Sequence, residues 1–410
     1  LSNSLPNSGV LLVPRGMGSG LAAGSIPATR GGNVPSLKIG GCMSEQGVYV
    51  PVSKLVDFMV EACVAMGIPQ QDAKIIADVL ITSDLWGVRS HGVAHLKMYH
   101  ERIKVGLQLP VTNWQVVRDT PTTAVVDGGN GMGMVVGYNA MKLAIEKARQ
   151  YGLGAVAVRN SSHYGVAGYY PMMAVKEGLV GLSVTNAHPS IAPTFGVKPM
   201  LGTNPIAGAA PTDEPFPFMF DAATSVAPRG KIEIAARANK PIPEGWAIGQ
   251  DGKSETDSNG MIKKMNEGRV ALLPVGGMGE LMGGHKGYGL ATMVEIFSAA
   301  FQNGTYLWGL TDTDAEGKPQ FLCIGHFFLA IDVEHFIPLP DFKQITGNMM
   351  RELRSATRAP DQTRIYTAGE KEYYNTQRVM AEGVEITPGV QKGLNALRQE
   401  LNITGHDMGF

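Results

Sequence analysis

Thr122-Thr123-Ala124-Val125-Val126-Asp127-Gly128-Gly129-Asn130-Gly131-Met132-Gly133 decides the fold class of this chain. Its first half is rich in β-branched residues and reads as a strand, its second half is a glycine-dense turn, and helical spacing then runs to about residue 151. Strand, glycine turn and helix together raise the dinucleotide-binding fold, whose G-x-G-x-x-G turn requires glycine at position 136 after Gly131 and Gly133. Position 136 is valine, the next glycine is Gly137, and no acidic residue stands near position 155 to hold a ribose. The turn therefore reads as a tight connection in an α/β protein whose sheet is not of that nucleotide-cradling kind.

Downstream, strand-like 154–159, helix-like 166–176 and strand-like 179–185 continue the alternation. Upstream, Leu55, Phe58, Met59, Ala62 and Met66 form one apolar helical face that Gly67 ends, and a second helix runs to about residue 84. The last part predicts a strand over 327–333 and a helix over 341–358 with Phe342, Ile345, Met349 and Leu353 inward. A loop at 368–371 and a helix opened by Thr387 and Pro388 close the chain.

Composition excludes several classes. Lys and Arg number 35 against 36 Asp and Glu, with no block of like charge, so neither a nucleic-acid groove nor a polybasic membrane patch is expected. The longest apolar run, 322–331, is broken by Gly325 and His326 and falls well short of the ~20 residues a membrane span needs. Cys42, Cys63 and Cys323 are scattered without a Cys-x-x-Cys pair, which argues against a disulfide framework or a cysteine zinc site and for a reducing compartment. The first 43 residues hold nine glycines and no acidic residue. That bias resembles an organelle transit remnant or a plain tail, so a soluble cytoplasmic or organelle-matrix location is expected.

Chemistry concentrates at two junctions. Ser83-Asp84-Leu85-Trp86-Gly87-Val88-Arg89-Ser90-His91-Gly92-Val93-Ala94-His95-Leu96-Lys97-Met98-Tyr99 joins two helical patterns. Ser90 reads as the N-cap of the second helix, which puts His91 in its first turn, where unpaired N–H groups favour an anion such as a substrate carboxylate. That field disfavours imidazolium and makes His91 a candidate acid or base; the plainer reading is a surface histidine behind a capping serine. His91 and His95 have the spacing of a metal pair, but no glutamate lies between them and no third ligand is apparent, so no metal site is expected. Asn160-Ser161-Ser162-His163-Tyr164-Gly165 repeats the sequence of polar cap, histidine and glycine, so two histidines can point into one cleft.

Later segments suit a flat or phosphorylated ligand. Strand-like 218–225 ends in small and hydroxyl residues that let such a ligand approach the backbone. The glycine-dense run 276–289, with His285 and Lys286, opens an apolar helix and suits a phosphate. It lacks the Gly-Lys-Ser/Thr ending of a nucleotide-hydrolase loop.

Six segments occur in one order: Asp84-Leu85-x-Gly87-x-x-Ser90-His91-Gly92, Asn160-x-x-His163-x-Gly165, Leu201-Gly202-Thr203-Asn204-Pro205, Asp221-x-Ala223-Thr224-Ser225, Pro243-Glu244-Gly245-Trp246-Ala247 and Gly284-His285-Lys286-Gly287-Tyr288-Gly289. In this order they resemble the malate/L-lactate dehydrogenase family of oxidoreductases, with its sulfolactate, ureidoglycolate and diketogulonate relatives, across residues 50 to 400. The resemblance implies an α/β, non-Rossmann mixed-sheet NAD(P)-binding domain with a helical second domain. It also implies NAD or NADP in an extended site and a homodimer whose active sites lie between subunits. The layout that follows is an extension at 1–49, a helical N-terminal part of the substrate domain at 50–121, the cofactor domain at 122–257 and a helical part returning to the substrate domain at 258–410.

By the same resemblance, cofactor contacts fall at Phe220, Asp221, Ala222 and Ala223, at His285 and Lys286, and at Gly369, Glu370 and Lys371. The acid/base falls at His91 in some members and at His163 in others, so both are catalytic candidates; Ser90, His95, Tyr99 and Asn204 are candidate substrate contacts. Many members have an arginine where this chain has His95, which alters the usual carboxylate grip.

Reducing a 2-oxo acid takes a hydride to C2, a proton to its oxygen and a held carboxylate. His91 or His163 is expected to supply the proton, while the helix start at Ser90, with His95 and Arg89, holds the carboxylate. A histidine near its ordinary pKa of ~6.5 would make that grip weaken as pH rises. Malate/oxaloacetate is the expected pair, with lactate, sulfolactate and ureidoglycolate as alternatives. The competing classes are a hydrolase or lyase using the same histidines and a catalytically silent binding protein.

Overall fold

The structure, a computed structural model, describes residues 47–410. The glycine-rich first 43 residues, and with them the import reading, lie outside the described residues. Strand β1 (Val48–Val50) leads into helices α1 (Val52–Ala65), α2 (Gln70–Leu85) and α3 (Leu96–Lys104). The main sheet draws on β2 (Gln115–Asp119), β3 (Thr123–Asp127), β4 (Leu153–Ser161), β5 (Leu179–Thr185), β6 (Ile206–Ala210) and β7 (Phe218–Ala222). Helix α4 (Gly133–Tyr151) joins β3 to β4, and α5 (Tyr169–Lys176) joins β4 to β5. There follow α6 (Arg229–Arg237), β8 (Ala247–Gly249), α7 (Met261–Asn266), β9 (Val270–Leu272) and α8 (Gly284–Ala299). The chain closes with β10 (Ile324–Asp332), α9 (Leu339–Ser355), α10 (Glu370–Glu382), β11 (Val384–Ile386), which pairs with β1, and α11 (Pro388–Glu400).

Seven strands form one mixed sheet in the order β2-β3-β4-β10-β5-β6-β7. Only β3 and β4 run parallel, as the helix crossing between them requires; every other neighbouring pair is antiparallel. The α/β reading holds, and the sheet is not the doubly wound parallel kind. β10, drawn from the C-terminal third, is the central strand.

The glycines of the opening turn serve packing. A Cβ at Gly133 would lie 2.2 Å from the Ser162 carbonyl oxygen, and one at Gly154 would lie 2.0 Å from that of Ala144. These approaches let α4 settle on β4 and the loop after it. The first turn of α4 is not open to a phosphate there, because the Gly133 N–H donates to Ser162 Oγ at 2.9 Å. Ser162 Oγ in turn donates to the Gly131 carbonyl at 2.8 Å, so the turn and the His163 loop are fastened together.

One apolar core joins α1 and α2, through Phe58, Met59, Ile76 and Leu80, to Met134, Met141, Tyr170 and Phe328 on and around the sheet. A second, smaller core gathers Ile191, Leu201, Ile232, Met261 and Leu272 about β8 and β9. Helix α9 departs from expectation. Its Ile345, Met349 and Leu353 are 49%, 59% and 62% exposed instead of inward, because it packs through Gly347 and Met350. Burying such a side chain is worth about 1.5–3 kcal/mol, so this face lacks a cover within the described chain.

Candidate active site

The His91 loop is shaped by one buried carboxylate. Asp84, near the end of α2, accepts from the Val93 N–H at 2.8 Å, and Ser83 Oγ donates to the Val88 carbonyl at 2.7 Å. A Cβ at Gly92 would come within 2.0 Å of Asp84 Oδ1, so only glycine lets the chain pass. Burial pushes the Asp84 carboxyl up to about 7, against the pull of the Val93 N–H and the charge of Arg89.

This bend corrects the expectation for Ser90 and His91. The chain makes two short 3₁₀ turns, Arg89–His91 and Val93–His95, before α3 begins at Leu96. Ser90 caps no helix; its hydroxyl meets His91 Nδ1 at 2.9 Å. His91 therefore owes its position to Asp84 and Gly92, not to an α-helical first turn.

The two junctions do converge. The rings of His91, His95 and His163 form a triangle with centroids 5.5, 5.5 and 5.3 Å apart and planes within 28° of parallel. Tyr99 Oη lies 2.7 Å from His163 Nδ1, which the Gly165 N–H also approaches at 3.4 Å. A backbone N–H can only donate, so Nδ1 acts as acceptor, the tyrosine donates to it and Nε2 carries the ring proton.

All three imidazoles are uncharged at neutral pH. Burial holds His91 below its ordinary range. Burial, then the charges of His91 and Arg102, bring His95 down to about 4. The same effects, with His95 added, depress His163 strongly. His95 is thus no standing cation, and Arg89 is engaged elsewhere, 2.8 Å from Glu385 on β11. An uncharged His95 would meet a carboxylate through a hydrogen bond, not as an ion pair, and Arg89 would have to leave Glu385 to reach one.

Asn204 belongs to another cluster. Its Nδ2 donates to the Ala291 carbonyl at 2.9 Å and to Glu295 Oε2 at 2.8 Å on α8, where Asn186 and the Leu307 N–H address Oε1 of the same carboxylate. Those bonds tie sheet loops to α8.

The candidate cofactor contacts lie along neighbouring segments. Asp221 accepts from the Gly168 N–H at 2.6 Å, and burial brings its carboxyl up to about 6. Phe220 is 45% exposed on the outermost strand, with Ala222 and Ala223 half-buried after it. Gly369 presses on this strand, where a Cβ would meet the Pro217 carbonyl at 2.4 Å. Beyond it, the Val275 N–H donates to the Thr224 carbonyl at 2.8 Å, and Gly287 of α8 packs on Val275, so His285 and Lys286 stand exposed nearby in the chain of contacts. Glu370, expected in a loop, begins α10 fully buried, accepting from the Thr367 N–H and paired with Arg364; Lys371 rests 4.9 Å over the Tyr366 ring.

Several residues escaped the sequence reading. Asp84 lay inside a quoted motif without a role, Ser162 sat beside a histidine, and Arg102 follows His95 and Tyr99 at helical spacing, a signal that was available.

A mixed sheet that gathers uncharged imidazoles beside a tyrosine hydroxyl carries the equipment of a proton-transferring enzyme. Residues 50–395 match the family model described as Malate/L-lactate dehydrogenase, and the chain belongs to that family. It is an oxidoreductase of the 2-hydroxyacid dehydrogenase class. It is 44% identical over 365 residues to a malate dehydrogenase of Pyrococcus horikoshii, covering 89% of this chain and 99% of that one. It is 38% identical to an L-sulfolactate dehydrogenase of Methanocaldococcus jannaschii, covering 83% and 94%. The crystal structure of malate dehydrogenase from Entamoeba histolytica matches with a TM-score of 0.85 at 40% identity, over 88% of this chain and 99% of that one. More distant relatives carry NAD(+) in one name and NADP(+) in another. Among the described residues no helix is long and apolar enough to cross a membrane.

Proposed function

We propose that this chain interconverts malate and oxaloacetate with NAD(H) or NADP(H). The observation that carries the reading is the histidine triangle anchored by the 2.7 Å contact of Tyr99 with His163. Similarity to malate dehydrogenases over nearly their whole length supports malate as the first substrate to test.

His163 is the proton carrier in this reading and His91, held by Ser90, positions the substrate. Nε2 of His163 has no hydrogen-bond partner among the described residues and is the ring nitrogen available to the C2 oxygen. A carboxylate entering the cluster brings negative charge, which raises the imidazole pKa toward neutrality. The oxo-acid complex therefore takes up the proton that reduction consumes. The proton taken up sits on Nδ1, where Tyr99 Oη turns from donor to acceptor, and His163 donates its Nε2 proton to the C2 oxygen, leaving the Nδ1–H tautomer. In the other direction that Nδ1–H tautomer accepts the hydroxyl proton at Nε2.

The residues present fit a nicotinamide cofactor: an exposed Phe220 on the outer strand for a flat ring, and His285 with Lys286 in the first turn of α8 for phosphates. When bound, the cofactor supplies and accepts the hydride. Phe220, Asp221, Ala222, Ala223 and Gly369 would border it along β7, with Lys371 close by, while the buried Glu370 braces that turn.

A second copy of the chain is the proposed cover for the apolar faces of α8 and α9. Leu290, Met293 and Ile296 on α8 are exposed along with Ile345, Met349 and Leu353 on α9. The active sites would then be completed between subunits.

The test is nicotinamide absorbance with malate, lactate, sulfolactate and ureidoglycolate, and the corresponding oxo acids, against both cofactors. Turnover greatest with malate or oxaloacetate supports the proposal. Turnover of none of the acids rejects it.

A further inference from the structure

A small 2-hydroxy acid brings at least one permanent negative charge, and something must meet it. The obvious cations near the histidines do not serve. Arg89 is paired with Glu385, and His91, His95 and His163 are uncharged. Among the described residues, the guanidinium whose charge does reach the cluster is that of Arg102.

Arg102 sits on α3 seven residues after His95 and three after Tyr99, so the three side chains share one stripe of the helix. Tyr99 of that stripe touches His163, which fixes the direction the stripe faces. Arg102 Nη1 is shielded from solvent and has no hydrogen-bond partner among the described residues. The acid whose charge reaches Arg102, Asp312, forms no ion pair with it among the described residues. Its positive charge reaches His95, Tyr99 and His163, where after burial it disfavours a proton on either imidazole.

A buried guanidinium N–H without an acceptor is costly, and the group cannot shed its charge at any working pH. Its planar fork matches a carboxylate, which would satisfy the orphaned nitrogen and neutralise the charge together. We infer that Arg102 anchors the C1 carboxylate of the substrate, the one bonded to the carbon whose oxygen His163 serves. This rests on the dehydrogenase reading above. C1 is favoured over a distal carboxylate because Arg102 lies only one helical turn, about 4.5 Å of axial rise, from the tyrosine that holds His163.

The experiment compares Arg102→Met, Arg102→Gln and Arg102→Lys with wild type. It measures kcat and KM for malate and for lactate, and the dissociation constant of oxalate, an unreactive dianion. Melting temperature, oligomeric state and cofactor affinity serve as controls. Truncating one partner of a buried charged pair costs enough to raise KM and the oxalate constant at least about 30-fold in Arg102→Met and Arg102→Gln. Lysine, charged but unable to fork, should fall between. kcat should drop less than kcat/KM, and malate and lactate should suffer alike.

KM and oxalate binding within about twofold of wild type would overturn the inference. So would a loss confined to malate, which would assign Arg102 to the distal carboxylate, or variants that merely melt early or lose the oligomer. If Arg102→Met does not fold, the Gln and Lys variants decide. If wild type turns over none of the acids, the dehydrogenase reading has failed, and oxalate binding alone judges Arg102.

Discussion

The hydroxyl of Tyr99 and Nδ1 of His163, 64 positions apart in sequence, meet at 2.7 Å in a largely buried setting. This contact sets which ring nitrogen carries the proton. Tyr99→Phe keeps the ring in the core but removes the hydroxyl, so kcat should fall at least about tenfold while melting changes little. His163→Ala should lose more, ~10²–10⁴-fold in kcat/KM, as a missing general acid does. Steady-state kinetics with malate checks both; wild-type rates in either would misplace the proton carrier.

His95 should titrate well below neutrality. Burial and its charged neighbours bring it from 6.5 down to about 4. Below 6.5 the unfolded chain then binds a proton that the native state refuses, so its contribution to stability is lost as pH falls from about 6.5 toward 4. The imidazole signals of the free enzyme, followed by NMR from pH 8 to 4, should show no His95 midpoint above 5.5. A midpoint near 6.5 would restore it as a partial cation.

Asp84 behaves in the opposite sense. Its folded pKa, raised from 3.8 to about 7, means that the native state holds a proton the unfolded chain has given up. The contribution is therefore present at low pH and lost as pH climbs through 7. Asp84→Asn keeps an acceptor for Val93 without the charge. Its melting temperature should exceed wild type at pH 8, with the gap narrowing at pH 5 and closing near pH 4; an unchanged gap from pH 8 to 4 would contradict the assignment.

Gly133→Ala places a methyl 2.2 Å from the Ser162 carbonyl. Backbone cannot yield cheaply there, and overpacking of this kind costs about 1–3 kcal/mol. Because Ser162 precedes His163, activity should fall along with the denaturation midpoint. A variant of wild-type stability would show that α4 does not depend on this approach.

The exposed α9 face tests the homodimer. Met349→Asp should weaken self-association by putting charge where Met349 is 59% exposed and flanked by Ile345 and Leu353. Sedimentation velocity of wild type and variant should show dimer and a shift toward monomer. A monomeric wild type would leave that face without its proposed partner.

Local chemistry sufficed for much of this protein. The β-branched run at Thr123–Asp127 and the apolar faces of α1 and α2 had to form a strand and two helices, because periodicity and turn residues act between near neighbours. The misplaced third glycine at Gly137 was enough to set aside the parallel nucleotide fold, and two polar-histidine-glycine junctions were enough to expect two histidines in one cleft. The tertiary structure alone decided what those residues could do. Ser90 lost its cap because Asp84 and Gly92 bend the chain into 3₁₀ turns first. Burial made His95 neutral, Arg89 became occupied by Glu385 nearly three hundred residues on, and Asn204 was drawn to α8 by Glu295. Charge state and exposure are sums over everything that packs around a group. A sequence read in windows of one helical turn does not contain those sums; they exist only once the chain has closed on itself.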